Sequence, residues 1–415
     1  MAANKTDDGW LAFRYPDVRL FYFSRLSSTL ASAMQNVAVG WFVYELTRDP
    51  FALGLTGLFT FLPMLVFCLI TGQVADNYDR RLVVSISTAL AAFVSAGLLV
   101  YSLAGHTTVW PIYILMALVG TSRAFGNPAY KALLPTLVPR EHFGNTVAWN
   151  SSFEQFANTA GPAIGGLLYM LGPNVVFGLA MVLYAASAIA TFLIRTRPEP
   201  VKREKVTWQT MSAGLRYIYS QKTIFGAISL DMCAVLLGGV TALLPIFSDA
   251  LGAGAWGTGF LRSAQSIGAF TMAYVLAHHP VKRRSGRKLV WSVGAFGLSI
   301  LVFGLSNSII LSVLALFAAG AADQISVYIR HTIVQTDTPD SMRGRVSAVN
   351  VIFVGASGSL GEFESGTLAA LVGAVPAVAI GGVGAMLCAA LWAVIFPTMR
   401  ERDELVPKED PAAAK

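Results

Sequence analysis

The sequence predicts an all-α polytopic membrane protein with twelve transmembrane helices in two six-helix halves. Of its 415 residues, 55% are hydrophobic and only 13% are charged, whereas soluble domains carry about 25% charged residues. The apolar stretches run unbroken for about 20 residues, which is the length a helix needs to cross a bilayer. A β-barrel would alternate in segments of about 10 residues. Disorder and an ordinary soluble enzyme are therefore excluded.

The apolar windows also divide the chain. They cover residues 20–44, 52–75, 82–104, 110–132, 145–171, 174–194, 223–250, 255–279, 288–307, 309–331, 344–372 and 374–397. The predicted domains are an N-tail (1–19), an N-terminal half (20–194), a linker (195–222), a C-terminal half (223–397) and a C-tail (398–415). The N-tail is polar and has no apolar core of a signal peptide, so we expect the first span to be retained.

Basic residues predict the orientation. Of the 30 lysines and arginines, we place Arg25, Arg123 and Arg262 inside spans and Arg48 in an odd-numbered connection. We place the others in the tails and the even-numbered connections. The positive-inside rule then puts both termini in the cytoplasm. The net charge of +7 is explained by topology, and no basic-aromatic patch indicates nucleic-acid binding.

The linker carries apolar residues at helical spacing. Trp208, Met211, Leu215 and Ile218 recur beside Arg216, which predicts an amphipathic helix on the inner leaflet. The C-tail is polar and is predicted to be disordered.

The two halves resemble each other at an offset of 200 residues. Both polar and loop positions match in register, so chance similarity of Gly/Ala-rich helices explains the pattern poorly. Parallel repeats of this kind are typical of secondary transporters. The matching pairs are Gly120 and Gly320, Thr136 and Thr336, Pro139 and Pro339, Gly144 and Gly344, Ala148 and Ala348, Asn150 and Asn350, Phe153 and Phe353, Gly161 and Gly361, and Gly166 and Gly366.

The connection between spans 2 and 3 resembles motif A of the major facilitator superfamily. The resemblance implies a carboxylate that caps a neighbouring helix and locks a cytoplasmic gate; a solvated charged turn is the alternative. Two positions depart from the motif, because Asn77 replaces a basic residue and Asp79 replaces a glycine. The matching gate positions are Gly72, Asp76, Arg80 and Arg81.

Span 5 resembles the core of the antiporter motif, motif C, of proton-coupled drug exporters. Ala148 and Ala157 stand where the motif has two further glycines. The small residues permit close helix approach, and a packing kink without a coupling role is the alternative. The matching positions are Gly161, Pro162, Gly165 and Gly166.

Longer stretches resemble the branch of the superfamily that includes enterobactin exporters and transmembrane secretion effectors. They are WFVYELTRDPFALGLTGLFTFLP, NPAYKALLPTLVPREHFGNTVAWNS, and TPDSMRGRVSAVN with GEFESG. The resemblance covers nearly the whole membrane region and implies export as the direction of transport.

Ionisable residues inside spans are the candidate functional residues. Each costs on the order of 2.5–3.5 kcal/mol at the bilayer centre, so each must face water, a partner or the bundle interior. A buried ion pair that only fixes packing is the alternative. The residues are Arg25, Arg123, Glu154, Asp231, Arg262, Asp323, Glu362 and Glu364, and Asn150 and Asn158 extend a polar stripe on either side of Glu154.

Five of these residues are carboxylates and three are arginines, which predicts unpaired carboxylates. We expect Asp323 to meet Arg123, Asp231 to meet Arg25, and Glu362 or Glu364 to meet Arg262. Glu154 is then left over, and an unpaired carboxylate is suited to bind and release protons. Glu154 is our first candidate for proton coupling, followed by Asp231, Asp323 and Glu362.

The sequence thus predicts a proton-coupled exporter of a small organic molecule, drug-like or a siderophore, that works by alternating access. Proton-coupled uptake, a lipid flippase and a non-transporting sensor are the alternatives. We expect a monomer in the bacterial inner membrane, without enzymatic activity or cofactor. No Walker A sequence and no metal-ligand spacing is present.

Overall fold

The structure is a computed structural model that describes residues 10–196 and 208–405. Over these two ranges it contains α-helices and short 3-10 helices and no strand, so the all-α prediction is confirmed. Residues 1–9 of the polar N-tail, the charged start of the linker and the end of the C-tail lie outside the described residues.

The helices follow one another through short connections. The α-helices are α1 (Pro16–Thr47), α2 (Pro50–Asn77), α3 (Arg80–Leu103), α4 (Trp110–Leu133), α5 (Phe143–Tyr169), α6 (Pro173–Phe192), α7 (Trp208–Ser220), α8 (Lys222–Leu237), α9 (Leu244–Ala250), α10 (Gly254–His278), α11 (Ser285–Leu305), α12 (Ile309–Thr336), α13 (Asp340–Val372), α14 (Ala374–Ile395) and α15 (Pro397–Arg400).

Each predicted apolar window lies on helical structure. The window 223–250 is split between α8, a 3-10 turn at Thr241–Leu243, and α9. In the described residues, seven helical segments are long and apolar enough to cross a membrane. Five other helices are not among these segments, namely α1, α4, α5, α10 and α13. These are the helices that carry Arg25, Arg123, Glu154, Arg262 and Glu362. The count of twelve spans therefore stays a prediction.

The first compact unit comprises Met1–Arg48, Phe59–Val206 and Thr258–Ser263. Within it, α3 packs against α4 and α6, and α1 packs against α5 and α6. Phe21, Tyr22 and Leu133 are buried at one end of these helices, where they join a cluster around Tyr130. The unit therefore has an apolar core of its own.

The second compact unit comprises Asp49–Leu58, Thr207–Gly257 and Ala264–Lys415. Within it, α11 packs against α12 and α14, and α8 packs against α13 and α14. Each of α3 and α11 thus packs against the next helix in the chain and against the third helix after it. This is the pairing that an internal repeat requires, although the repeat and the predicted domain boundaries stay predictions.

Two glycines that the repeat equates occupy the same kind of place. A Cβ on Gly120 of α4 would lie 2.0 Å from the carbonyl oxygen of Thr60 in α2. A Cβ on Gly320 of α12 would lie 1.9 Å from the carbonyl oxygen of Gln265 in α10. Only glycine lets the two backbones approach this closely.

The predicted amphipathic helix is present as α7, but it does not lie free on a membrane surface. Ile218 is 2% exposed, and both it and Leu215 belong to a cluster with Val346 and Ile224. Packing against α8 and α13 buries the apolar face of α7. The interpretation that this face lies on the inner leaflet is therefore corrected. The side chains of Trp208 and Met211 lie outside the described part of the chain.

The start of the C-tail is ordered, contrary to the prediction. Residues 397–400 form α15, and the main-chain N–H groups of Ser285 and Gly286 donate to the carbonyl oxygens of Asp403 and Arg402. The tail is therefore hydrogen-bonded to the N-terminus of α11. Leu405, the last described residue of the tail, is 2% exposed.

Candidate functional site

The first unit encloses a polar cavity of about 240 Å³ among α1, α3, α4, α5 and α6. Its charged lining consists of two arginines and one carboxylate, and most of the other lining groups carry hydroxyls. The lining residues that bear polar side chains are Arg25, Ser28, Thr29, Ser32, Ser87, Thr88, Ser122, Arg123, Asn127, Tyr130, Glu154 and Tyr184.

Arg25 and Glu154 form an ion pair at this cavity. Nη2 of Arg25 lies 2.9 Å from Oε1 of Glu154, and the side chains are 13% and 39% exposed. The guanidinium also lies over the Tyr130 ring, 4.9 Å from its centroid. The prediction that Glu154 is left unpaired is therefore wrong, and the predicted pair of Arg25 with Asp231 joins different units and stays a prediction.

Arg123 is held by neutral groups. Its Nη2 donates to Oγ of Ser32 and to Oδ1 of Asn36, each at 2.8 Å. Glu154 can balance only one of the two arginines, so the cavity carries one excess positive charge. The predicted pair of Arg123 with Asp323 joins different units and stays a prediction.

A buried hydroxyl network positions the Tyr130 ring. Oγ of Ser24 lies 2.7 Å from the Tyr130 hydroxyl, 2.8 Å from Oγ of Ser187 and 2.6 Å from Oγ1 of Thr191. Ser24, Ser187 and Thr191 are fully buried. Because these hydroxyls satisfy one another, the ring beneath Arg25 has a fixed orientation.

The second unit contains a different charged cluster. Nη2 of Arg330 lies 3.2 Å from Oδ2 of Asp231, with side chains 1% and 5% exposed. Nη1 of Arg330 donates to Oδ1 of Asn350 at 2.9 Å. Oγ of Ser326 donates to Oδ1 of Asp231 at 3.4 Å. These contacts tie α8, α12 and α13 together by charge and hydrogen bonding.

Asp323 belongs to the same cluster. It lies on α12 with Ser326 and Arg330, at spacings of three and four residues that place all three on one helix face. Arg330 of this face pairs with Asp231. The cluster therefore contains one arginine and two carboxylates.

The remaining predicted carboxylates lie on α13. Glu362 packs against α2, where its Oε2 lies 2.7 Å from the position that a Cβ on Gly57 would take. Glu364 accepts a hydrogen bond of 3.4 Å from the Ser365 hydroxyl. Arg262 is half-buried in the first unit, and its predicted pairing with either glutamate stays a prediction.

The polar stripe on α5 only partly faces the cavity. Glu154 lines it, whereas Asn158 is exposed. Oδ1 of Asn150 is buried, and the described residues provide no hydrogen-bond partner for it.

The glycines of the resembled antiporter motif permit close helix packing. A Cβ on Gly161 would lie 2.5 Å from Cβ of Ala33, and one on Gly165 would lie 2.8 Å from Cα of Met34. On the other side, Gly259 lies against Pro162 and Gly166. The geometry explains the small residues by packing, and a role in coupling stays a prediction.

Asp79 lies in the connection between α2 and α3 and caps the N-terminus of α3. Its Oδ1 accepts from the Arg81 N–H at 3.0 Å, and its Oδ2 lies 2.6 Å from Nη2 of Arg81. These hydrogen bonds hold the pKa of Asp79 below its ordinary value, against the opposing effect of burial. Arg80 donates to the carbonyl oxygen of Ala132 at 3.1 Å, and Arg81 donates to that of Ile194.

The other two gate positions show less. Among the described residues, no heavy atom lies within 4 Å of the place a Cβ on Gly72 would occupy. The side chain of Asp76 lies outside the described part of the chain, so its gate role stays a prediction.

Comparison with known proteins decides the family. The model of the family described as transmembrane secretion effector matches residues 8–413. The chain belongs to this family, a branch of the major facilitator superfamily. It is similar to the enterobactin exporter EntS of Escherichia coli O1:K1, with 26% identity over 95% of each chain. The enterobactin exporter EntS of Shigella boydii serotype 18 is 25% identical to this chain, again over 95% of each chain.

Solved transporters share the fold of this transmembrane secretion effector. The nucleoside transporter NupG aligns with a TM-score of 0.73 and 13% identity, over 92% of this chain and all of the other. A peptide transporter POT in complex with sulfate aligns with a TM-score of 0.72 and 13% identity, over 94% of this chain and 96% of the other. The family match makes the chain a multi-pass membrane transporter, and the solved structures show its fold.

Sequence reasoning missed Arg330 as a site residue of this secretion effector. The distribution of basic residues assigns it to a cytoplasmic connection, but it is buried inside α12. The offset of 200 that equates Asn150 with Asn350 also equates Tyr130 with Arg330. Both positions lie at polar networks of their units, and that correspondence was the available signal.

Proposed function

We propose that this transmembrane secretion effector exports a small acidic, hydroxyl-rich molecule of the siderophore class, in exchange for protons and by alternating access. The observation that carries the proposal is the cavity of the first unit, where Arg25 and Arg123 face one carboxylate, Glu154. The excess positive charge favours an anionic substrate.

The cavity chemistry supports this substrate class. Guanidinium groups bind carboxylates and phenolates through paired hydrogen bonds and stack on aromatic rings. The hydroxyls of Ser28, Ser32 and Ser122 can each donate and accept. A volume of about 240 Å³ suits one ring-bearing unit of a siderophore, so we infer that the cavity binds a part of the molecule.

The relatives support the direction and the class. The curated relatives described above are enterobactin exporters, and the similarity extends over 95% of this chain. An identity of 26% leaves room for a different substrate, so we propose siderophores as a class.

For proton coupling we propose the cluster in the second unit. Arg330 carries one positive charge and pairs with Asp231, while Asp323 lies on the same face of α12, so one arginine cannot balance both carboxylates. The carboxylate in excess is the group suited to take up and release a proton. Glu154 ranks below this cluster, because its ion pair with Arg25 removes the reason for placing it first.

Secretion from a bacterial host that lacks its own siderophore exporters tests the substrate class. The proposal predicts that the wild-type chain restores the siderophore in the medium. Arg123→Gln should lower secretion about 10-fold or more, because hydrogen bonds to charged groups are worth about 1.5–3 kcal/mol. The matched control is Arg195→Gln, since Arg195 is exposed and does not line the cavity.

Three results would contradict the proposal. Increased siderophore in the cells and not in the medium would indicate uptake. Unchanged siderophore with altered lipid distribution would indicate a flippase. Equal loss in Arg123→Gln and Arg195→Gln would show that the cavity is not the substrate site.

A further inference from the structure

We propose that the second unit binds the phosphate group of an anionic phospholipid at a pocket beside the N-terminus of α11. The pocket has a volume of about 260 Å³. It contains four arginines and two carboxylates, and therefore an excess of positive charge. Its lining residues are Arg284, Arg287, Arg400, Glu401, Arg402 and Asp403.

The two arginines from the start of α11 are available to a ligand. In the described part of the chain, the guanidinium groups of Arg284 and Arg287 take part in no hydrogen bond or ion pair. The acidic groups nearby are already engaged. Glu401 pairs with Arg400 at 2.8 Å, and Oδ1 of Asp403 accepts from the main-chain N–H of Arg284 at 3.0 Å. The two guanidinium groups outnumber the one remaining carboxylate, Asp403, and therefore supply the excess positive charge. Guanidinium groups bind phosphate oxygens in pairs.

The tail that carries the other arginines is held in place. Arg402 pairs with Asp337 at the end of α12 and donates to the carbonyl oxygen of Leu405. A Cβ on Gly286 would lie 1.8 Å from the carbonyl oxygen of Met399, so the tail lies directly on α11. Because tail carbonyls already accept from the first N–H groups of α11, the arginine side chains are the groups left to bind an anion.

The surroundings indicate a lipid and not a soluble anion. Trp291 lies one helical turn after Arg287 and is 77% exposed. Leu298 and Leu305 follow at intervals of seven residues and are also exposed, so one face of α11 is apolar over about 21 Å. On α14, Val394 is exposed close to the point where the tail begins. The pocket thus lies where apolar helix faces end, and it is on the predicted cytoplasmic side, where anionic lipids attract basic groups.

Lipid binding to the purified full chain in detergent tests the proposal. The lipid is phosphatidylglycerol, with phosphatidylcholine as the uncharged comparison, and bound lipid is counted by native mass spectrometry. We expect the double variant Arg284→Gln and Arg287→Gln to weaken phosphatidylglycerol binding about 10- to 30-fold, at about tenfold or less for each basic residue near a membrane surface. The charge-matched control is Lys131→Gln with Arg140→Gln, since both residues are exposed elsewhere on the predicted cytoplasmic side.

The outcomes separate the possible sources of the phosphate. Weaker phosphatidylglycerol binding in the pocket variant alone supports the proposal. The variant Arg284→Lys with Arg287→Lys should recover part of the binding, which a misfolded protein would not do. Equal loss in pocket variant and control overturns the proposal in favour of nonspecific charge attraction. Arginine-dependent binding of inorganic phosphate, without any preference for phosphatidylglycerol, overturns the lipid as the source.

Discussion

Asp231 and Arg330 form a buried ion pair between α8 and α12, with Oδ2 and Nη2 3.2 Å apart and the arginine side chain 1% exposed. Neither group can regain water without moving, so each depends on the other for its charge. Asn350 satisfies a second nitrogen of the guanidinium. The pair therefore links the packing of the second unit to its charge balance.

Removing one partner should destabilise the protein strongly. Arg330→Met leaves the carboxylate of Asp231 uncompensated, and we expect a loss of about 3–5 kcal/mol. Thermal unfolding of the purified protein in detergent measures the change. The double variant Arg330→Met with Asp231→Leu should lose less than Arg330→Met alone, because the carboxylate that loses its partner is removed as well. A double variant as unstable as the single one would contradict the ion-pair account.

Asp323→Asn should separate coupling from binding. It leaves Arg330 to Asp231 and removes the second carboxylate, so we expect uphill transport to be lost while substrate exchange without a gradient persists. Both activities are measured in proteoliposomes. Asp249→Asn, at the exposed end of α9, is the control and should keep both. Full uphill transport in Asp323→Asn would remove Asp323 from the mechanism.

Glu154→Gln should tighten the binding of an anionic substrate. The change removes the only carboxylate that the described residues contribute to the cavity lining and frees Arg25 from its partner, which raises the local positive charge. We expect a KM for siderophore that is several-fold lower than in the wild type, measured as transport into proteoliposomes. If uphill transport disappears while exchange and KM are unchanged, Glu154 carries the proton instead.

Asp79 should stabilise the protein in a pH-dependent manner. Its pKa in the folded state is lowered, so its contribution is full above the ordinary carboxyl range and is lost as the pH falls through the folded-state value. Asp79→Asn keeps an N-cap but removes the charge, whereas Asp79→Ala should cost about 1 kcal/mol. Thermal unfolding from pH 7 to pH 3 should show the wild type converging on Asp79→Asn in acid. A constant difference between the two would contradict this.

Much of the helical structure could be predicted because membrane helices are long and apolar. The window 174–194 corresponds to α6 (Pro173–Phe192), and the window 82–104 to α3 (Arg80–Leu103). The break after Leu237 was not predicted, since Gly238 and Gly239 stand inside an otherwise apolar run.

The partners of the charged residues could not be predicted in the same way. A pairing depends on the rotation of each helix about its axis, and hydropathy carries no information about rotation. Arg25 and Asp231 have similar predicted depths, yet Arg25 meets Glu154 and Asp231 meets Arg330. Arg330 was overlooked because it stands near the end of its apolar window, where a basic residue is expected at the membrane surface.

The arginine pocket beside α11 could not be predicted from the sequence either. Arg287 and Arg400 are more than a hundred residues apart, and only the docking of the tail on Gly286 brings them to one pocket. A polar C-terminal segment has the composition of a disordered tail, whereas main-chain hydrogen bonds to α11 fix its first residues.

Siderophore accumulation in inside-out membrane vesicles with an imposed proton gradient tests the central claim most directly. With the vesicle interior acidic, the account predicts that the wild-type chain concentrates the siderophore inside, that added siderophore drives protons out, and that an uncoupler abolishes both effects. Accumulation that is indifferent to the gradient, or that occurs only in right-side-out vesicles, would contradict proton-coupled export.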